Sequence, residues 1–258
     1  MLVLLPPSEG KTAPRRGAPV EVASLSAPEL GPMREKVLDA LVEASARADA
    51  VQVLGVGASL ADEVARNVLL REAPTAPARQ VYSGVLYAAA GLDRLTPTGR
   101  RRAAEHVRIA SGLWGLVSPE DHIPAYRLSM GVDLPGVGPL ASAWRPLVDE
   151  QLATLASDEL VVDCRSSTYA ASGRPPADAR WVAVRVLREA DGRRAVVSHN
   201  AKHTRGVLTR HLLTRRGKAP ETAEQLARVA AELVGTELLA VELREPRRGA
   251  RVLDLVVG

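Results

Sequence analysis

The stretch Val107-Arg108-Ile109-Ala110-Ser111-Gly112-Leu113-Trp114-Gly115-Leu116-Val117, with its continuation Pro124-Ala125-Tyr126-Arg127-Leu128-Ser129-Met130-Gly131, decides how the chain is read. Between Val107 and Leu140 stand five glycines and four prolines. A helix tolerates such a run badly, because glycine costs backbone entropy and proline removes a donor and clashes with the preceding turn. The spacing predicts a short strand at Val107–Ala110, a tight turn at Ser111-Gly112, a loop, and a second strand at Tyr126–Met130. Trp114 and Tyr126 fall inside it, in a chain with seven aromatic residues and no Phe. Glycines beside polar groups let a backbone approach a ligand closely.

Outward from this stretch, apolar runs and periodicities mark the other elements. Leu2-Val3-Leu4-Leu5 is too short for a helix and is stopped by Pro6-Pro7, so it reads as a buried first strand. Helical spacing predicts helices over Glu29–Ala50, Leu60–Glu72, Thr98–Glu105, Ala141–Ala156 and Glu221–Val234. Ala78–Leu95 reads as a turn feeding a short helix. Leu160–Cys164 reads as a buried strand ending in polar Arg165-Ser166-Ser167. Trp181–Arg188 and Arg193–Ser198 alternate around Asp191-Gly192, which is a hairpin signature. A helix from His199 through Arg216 follows, and Leu238–Leu243 and Arg251–Val257 close the chain as strands joined by an Arg/Gly/Pro turn. This order argues an α+β fold, a mixed sheet covered by helices, in a single domain over residues 1–258. Gly55-Val56-Gly57 between two helices has the look of a helix-hairpin-helix, in which backbone N–H groups at a helix start hold a phosphate; an ordinary glycine turn reads the same way. The later Gly136-Val137-Gly138 follows a strand and reads as a loop.

Composition sets bounds. No apolar run approaches a membrane span, and the apolar start has no basic flank, so neither a membrane partner nor a signal peptide is expected. One cysteine, Cys164, excludes an internal disulfide framework, and a cytoplasmic location is the default. The formal net charge is +4, and 30 of the 34 basic residues are Arg, a side chain suited to phosphate and carboxylate. No dinucleotide fingerprint or nucleophile elbow appears, and no cofactor is expected. Gly10-Lys11-Thr12 looks like the end of a phosphate-binding loop, but Leu5 stands where that pattern requires Gly. His199 and His203 share an i, i+4 spacing without the Glu of a zinc motif, and no metal is assigned. Cys164, after a strand, reads as a small core residue.

What remains is a set of cations and hydroxyls at strand ends and glycine turns: Ser8, Lys11, Tyr82, Ser111, Tyr126, Arg127, Ser166, Tyr169, Lys202 and Arg205. Lys202 and Arg205 are three apart and share a helix face. Gathered in one electropositive hollow, these groups suit nucleic acid or a small anionic ligand. A lysine desolvated beside an arginine could serve as base or Schiff-base nucleophile. For an enzyme, Lys202 and Tyr126 are the acid/base candidates.

Several of these segments match a known family. Ser111-Gly112-Leu113-Trp114-Gly115 is similar to its Ser-Gly-Leu-Tyr-Gly pattern. Pro124-Ala125-Tyr126-Arg127-Leu128-Ser129-Met130-Gly131 is similar to Pro-Tyr-Arg-Leu-Glu-Met-Gly, and Ala201-Lys202-His203-Thr204-Arg205-Gly206 to Ala-Lys-x-x-Arg-Gly. Tyr82-Ser83-Gly84 and Lys11-Thr12 fit further motifs. Over essentially its whole length the chain resembles the YaaA peroxide-stress proteins. The resemblance implies an α+β fold with a positively charged cleft and a helix-hairpin-helix-like element around Gly55 and Gly57. It also implies nucleic-acid binding and a role in limiting oxidative damage from iron and hydrogen peroxide. The chain departs from the pattern in its first loop, Pro-Pro-Ser-Glu-Gly-Lys, at Ser129 in place of Glu, and at Trp114 in place of Tyr.

Overall fold

A computed structural model describes residues 1–197, 199–247 and 249–258, without the side chains of residues 199, 200 and 247. The end of the expected strand at Ser198, the side chain of His199 and part of the Arg/Gly/Pro turn therefore lie outside the described residues. The strands of the main sheet are β1 (Leu2–Leu5), β2 (Val107–Ser111), β3 (Gly115–Val117), β4 (Val161–Asp163), β5 (Trp181–Ala190), β6 (Arg193–Val196), β7 (Ala240–Arg247) and β8 (Ala250–Val257). Their order is β7-β8-β5-β4-β1-β2-β3, and β6 pairs the far half of β5. Strands β2, β1, β4, β5 and β8 run parallel, while β3, β6 and β7 are antiparallel additions. The expected mixed sheet covered by helices is thus present.

The register follows from burial. Val3 of β1 lies opposite Val107 on one side and Val162 on the other. All four residues of β1 are buried. A parallel strand covered on both faces reads as a continuous apolar run, which is why Leu2-Val3-Leu4-Leu5 shows no alternation. Pro6 and Pro7 have no N–H to extend the ladder, so the chain leaves the sheet at that point.

Helix α1 (Gly31–Ser45) stops five residues short of its expected end. The apolar repeat ends at Ala44, and Arg47 pairs with Asp49 at 2.7 Å in an exposed turn. On the apolar face of α1 sits an unexpected residue, Arg34, which is fully buried. It donates to the carbonyls of Trp114 (3.0 Å), Leu116 (2.8 Å) and Ser26 (2.6 Å). Burial lowers its pKa to about 10, so it remains a cation near neutrality. Beyond α1, a helical turn at Ala50–Val53 leads through Gly55 and Gly57 into a tight turn at Ala58–Leu60 and a helix at Ala61–Arg66. Gly55 takes a positive φ of 62° there. The expected long helix over Leu60–Glu72 is broken at Asn67–Leu69.

That break explains a second correction. Tyr126–Met130 is not a strand but irregular chain. Asn67 turns inward and takes both ladder groups of Arg127, accepting from its N–H at 2.8 Å and donating to its carbonyl at 2.9 Å. A side-chain amide replaces a neighbouring strand. The loop expected after Ser111 instead contains β3, which turns back on β2 with Ser111 opposite Gly115.

The turn between them depends on Gly115. Its φ is +71°, and a Cβ there would lie 2.8 Å from the ring of buried Trp144, whose indole N–H donates to Gly112 at 2.9 Å. Gly192 has a similar φ of +70° with open space around it. Gly192→Ala is expected to cost about 1 kcal/mol, the left-handed penalty alone. Gly115→Ala should cost about 3 kcal/mol, because crowding is added. Urea denaturation of the two variants measures the difference.

Candidate functional site

Ligand sites in open sheets with parallel strands lie off the strands' carboxyl ends. Here that edge carries a hollow of about 630 Å³. The loop Pro6–Gly10 leaving β1 forms one wall, and Ser166, Ser167 and Tyr169 after β4 form another. Ser83–Tyr87, at the start of helix α2 (Val85–Ala90), and Lys202 with Arg205, on helix α5 (His199–Thr214), complete it. Between α2 and α5 in sequence come α3 (Pro97–His106) and α4 (Leu140–Leu155); α6 (Ala223–Ala231) follows α5.

Gly206 sets the position of α5. A Cβ on it would lie 2.8 Å from Ala89 Cβ, so only glycine lets α5 cross α2 this closely. The crossing carries Lys202 and Arg205 to the hollow's lining together. Lys202 is exposed, and Arg205 donates to Val184 of β5 at 3.0 Å. The Arg205 Nε is buried with no hydrogen-bond partner among the described residues. Arg165, next to this lining, is committed elsewhere: it makes a buried two-pronged pair with Asp163 at 2.9 and 2.8 Å.

Beneath the lining runs a chain of buried hydroxyls. Ser111 Oγ accepts from the N–H groups of Leu113 (3.2 Å) and Trp114 (2.9 Å), and lies 2.7 Å from Tyr126 Oη. With its lone pairs so used, Ser111 donates its own proton to Tyr126. Tyr126 Oη lies 2.9 Å from Tyr82 Oη, and Tyr87 donates to Pro6 at 2.7 Å. Burial pushes the Tyr82, Tyr87 and Tyr126 phenols above the ordinary tyrosine range, so they remain protonated. Tyr126 also meets Trp114 edge-on, with centroids 6.3 Å apart.

Lys11 lies against these rings. Its Nζ is 4.2 Å from the Tyr126 ring centroid and 5.6 Å from that of Tyr82, and it donates to the Ser8 carbonyl at 2.9 Å. Its backbone is held by a bridge to Tyr82 and by the Thr12 N–H on Val81 at 2.8 Å. Burial, and then the Arg127 guanidinium, lowers its pKa to about 7, against partial opposition from Glu63 and Glu9. Arg127 donates to the Glu9 carbonyl at 2.9 Å and lies 3.4 Å from Glu63 Oε2.

The ten residues gathered from the sequence therefore divide. Ser8, Ser166, Tyr169, Lys202 and Arg205 line the hollow. Tyr82, Ser111 and Tyr126 form the buried chain. Lys11 and Arg127 are not part of the lining but bond to carbonyls of the loop that walls it. Tyr126, paired with Lys202 as an acid/base candidate, contacts Lys11 instead. Ser8 is structural in part: it accepts from the Ser83 N–H at 2.9 Å. Gly55 and Gly57 are not among the lining residues. Asn67, Glu63 and Arg34 escaped the sequence reading. The lone polar residue at an apolar helical position was the available sign for Arg34; Asn67 had none.

Cys164 is fully buried, and burial raises its thiol to about 12. It is therefore not a thiolate poised for oxidation.

The profile of the family described as peroxide stress protein YaaA matches residues 1–232. The chain belongs to this family. A UPF0246 protein of Streptomyces coelicolor is 46% identical over 261 aligned residues, spanning 100% of this chain and 98% of that protein. A UPF0246 protein of Corynebacterium efficiens is 41% identical over 261 residues, spanning 100% of both. One from Limosilactobacillus fermentum is 35% identical over 62% of this chain and 63% of its own. Of the segments quoted for the resemblance, Ser111 and Tyr126 belong to the buried chain, and Lys202 and Arg205 to the lining of the hollow.

The lowered pKa of Lys11 has a stability consequence. Between about 7 and the ordinary value of 10.5 the unfolded chain holds a proton that the folded chain sheds. Folding stability then rises with pH through this window and is flat below it. Lys11→Met removes this contribution. The stability of the wild type minus that of the variant should increase from pH 6 to pH 9, as read from urea midpoints.

Proposed function

We propose that this member of the YaaA peroxide-stress family acts in the cytoplasm by binding nucleic acid through the hollow at the carboxyl edge of the sheet. The observation that supports this reading most is the placement of Lys202 and Arg205. They lie on one face of α5, and among the described residues neither is ion-paired with a carboxylate. Unpaired cations beside hydroxyls and helix starts are suited to phosphate oxygens. In the same reading the Gly55–Gly57 turn, entering the helix Ala61–Arg66, is a second phosphate contact of the helix-hairpin-helix kind. The inert Cys164 directs the stress role towards binding rather than thiol chemistry.

A second reading, an enzyme acting on a small anionic or nucleotide-like substrate in the same hollow, is favoured by one observation: the Ser111–Tyr126–Tyr82 chain is in place behind the wall. Lys202 would then hold the anion and Tyr126 would relay protons.

Binding of a labelled DNA duplex and single strand, followed by anisotropy across salt concentrations, tests the first reading. Affinity should fall steeply with salt for all sequences alike. Lys202→Ala should weaken binding uniformly and reduce the salt slope by about 1. Binding that is absent, or that ignores salt, would count against it.

A further inference from the structure

We propose that the hollow is a pocket for one nucleotide taken out of the base stack, with its phosphate on Lys202 and Arg205 and its base against an apolar wall. The inference rests on the nucleic-acid reading and narrows it to a substrate class.

The lining carries the argument, because every group it needs borders the same hollow. Val196 of β6 is 69% exposed, and Val85, which opens α2, is 41% exposed. Both line the hollow beside Pro6 and Pro7, so it offers a ligand an apolar wall. Leu86 and Tyr87 also line it although both are buried, so the hollow reaches down to the core. Charge is uneven around it. Lys202 and Arg205 have no carboxylate partner among the described residues, whereas the first loop brings Glu9 to the lining. One phosphate suits the α5 side; a run of phosphates filling the hollow would meet the Glu9 carboxylate. The hydroxyls of Ser166 and Ser167, on a further wall, suit sugar and phosphate oxygens.

Size separates the possible ligands. The volume of about 630 Å³ falls among pockets that enclose one small ligand, about 300–1,000 Å³. A duplex keeps its bases stacked between two backbones, with a major groove about 12 Å wide, and meets such a hollow only at its rim. A nucleotide swung out of the stack brings an anion, a sugar and a flat apolar face together, and each has a matching wall. Extrusion is easiest where the nucleotide has no pairing partner, so the pocket selects such positions.

The full-length protein would be titrated with a labelled duplex and with the same duplex carrying one unpaired nucleotide, both read by anisotropy at one salt concentration. The unpaired nucleotide should tighten binding on the order of 10-fold, because no pair has to open. Iodouracil at that position, irradiated and mapped by peptide mass, should crosslink to the segments that contain Tyr87 or Tyr169. The double variant Val85→Ser/Val196→Ser, at two exposed positions and checked for folding by circular dichroism, should bring the two affinities together. Equal affinities in the wild type, an unchanged preference in the variant, or crosslinks only outside the hollow would overturn this inference and leave nucleic-acid binding standing. Deoxyuridine monophosphate as competitor separates the sources. Displacement of the unpaired duplex shows that a free nucleotide suffices; no displacement, with the preference kept, assigns a nucleotide within a strand. If neither DNA binds, the nucleic-acid reading fails. Binding of the free monophosphate that the double variant loses would then still support a nucleotide pocket, and its absence would overturn the inference as well.

Discussion

Ser111, Tyr126 and Tyr82 come from three separate parts of the chain, and their hydroxyls are joined in one buried line. Each of these groups would be costly to bury alone, because a hydroxyl without a partner loses its water and gains nothing. Together they are satisfied only when β2 ends at Ser111, the irregular segment passes over it, and the turn after Val81 closes beneath the first loop. The chain of hydroxyls therefore ties the end of the sheet to the walls of the hollow. The aromatic rings that carry two of the hydroxyls also supply the face on which Lys11 rests.

A buried arginine and a half-buried lysine show two ways of holding a charge within a protein. Arg34 has backbone carbonyls on its guanidinium and remains charged. By accepting its N–H groups, Trp114 and Leu116 fix the turn that begins β3. Lys11 has a carbonyl and ring faces, with an arginine nearby, and its proton is held weakly. Arginine retains its charge in such surroundings far better than lysine, whose pKa moves readily on burial. The first arrangement holds structure in place; the second leaves a lysine whose charge depends on pH near neutrality.

The strands of the parallel core were legible because their environment writes itself into composition. Leu2–Leu5 and Val161–Val162 are apolar on every residue, as strands covered on both faces must be. The hairpin at Asp191-Gly192 was legible from its turn chemistry. Tyr126–Met130 was misread because its composition suits a strand, while its ladder groups are taken by Asn67, a residue 60 positions away. The break at Asn67 was hidden for the same reason: no local preference marks an amide that turns inward to serve a distant backbone. The hollow's members were recognisable as a set of cations and hydroxyls at strand ends, but their division into lining, buried chain and loop anchors was not.

The sequence by itself determined the sheet's core strands, the order of the main elements and the family, since hydrophobic runs, turn residues and motifs are local properties. Only the tertiary structure decided that Gly206 brings Lys202 and Arg205 beside the first loop, and that Lys11 rather than Lys202 meets Tyr126. The reason is physical: a side chain's protonation and reach depend on which distant groups displace its water, and those groups are brought near only by the completed packing.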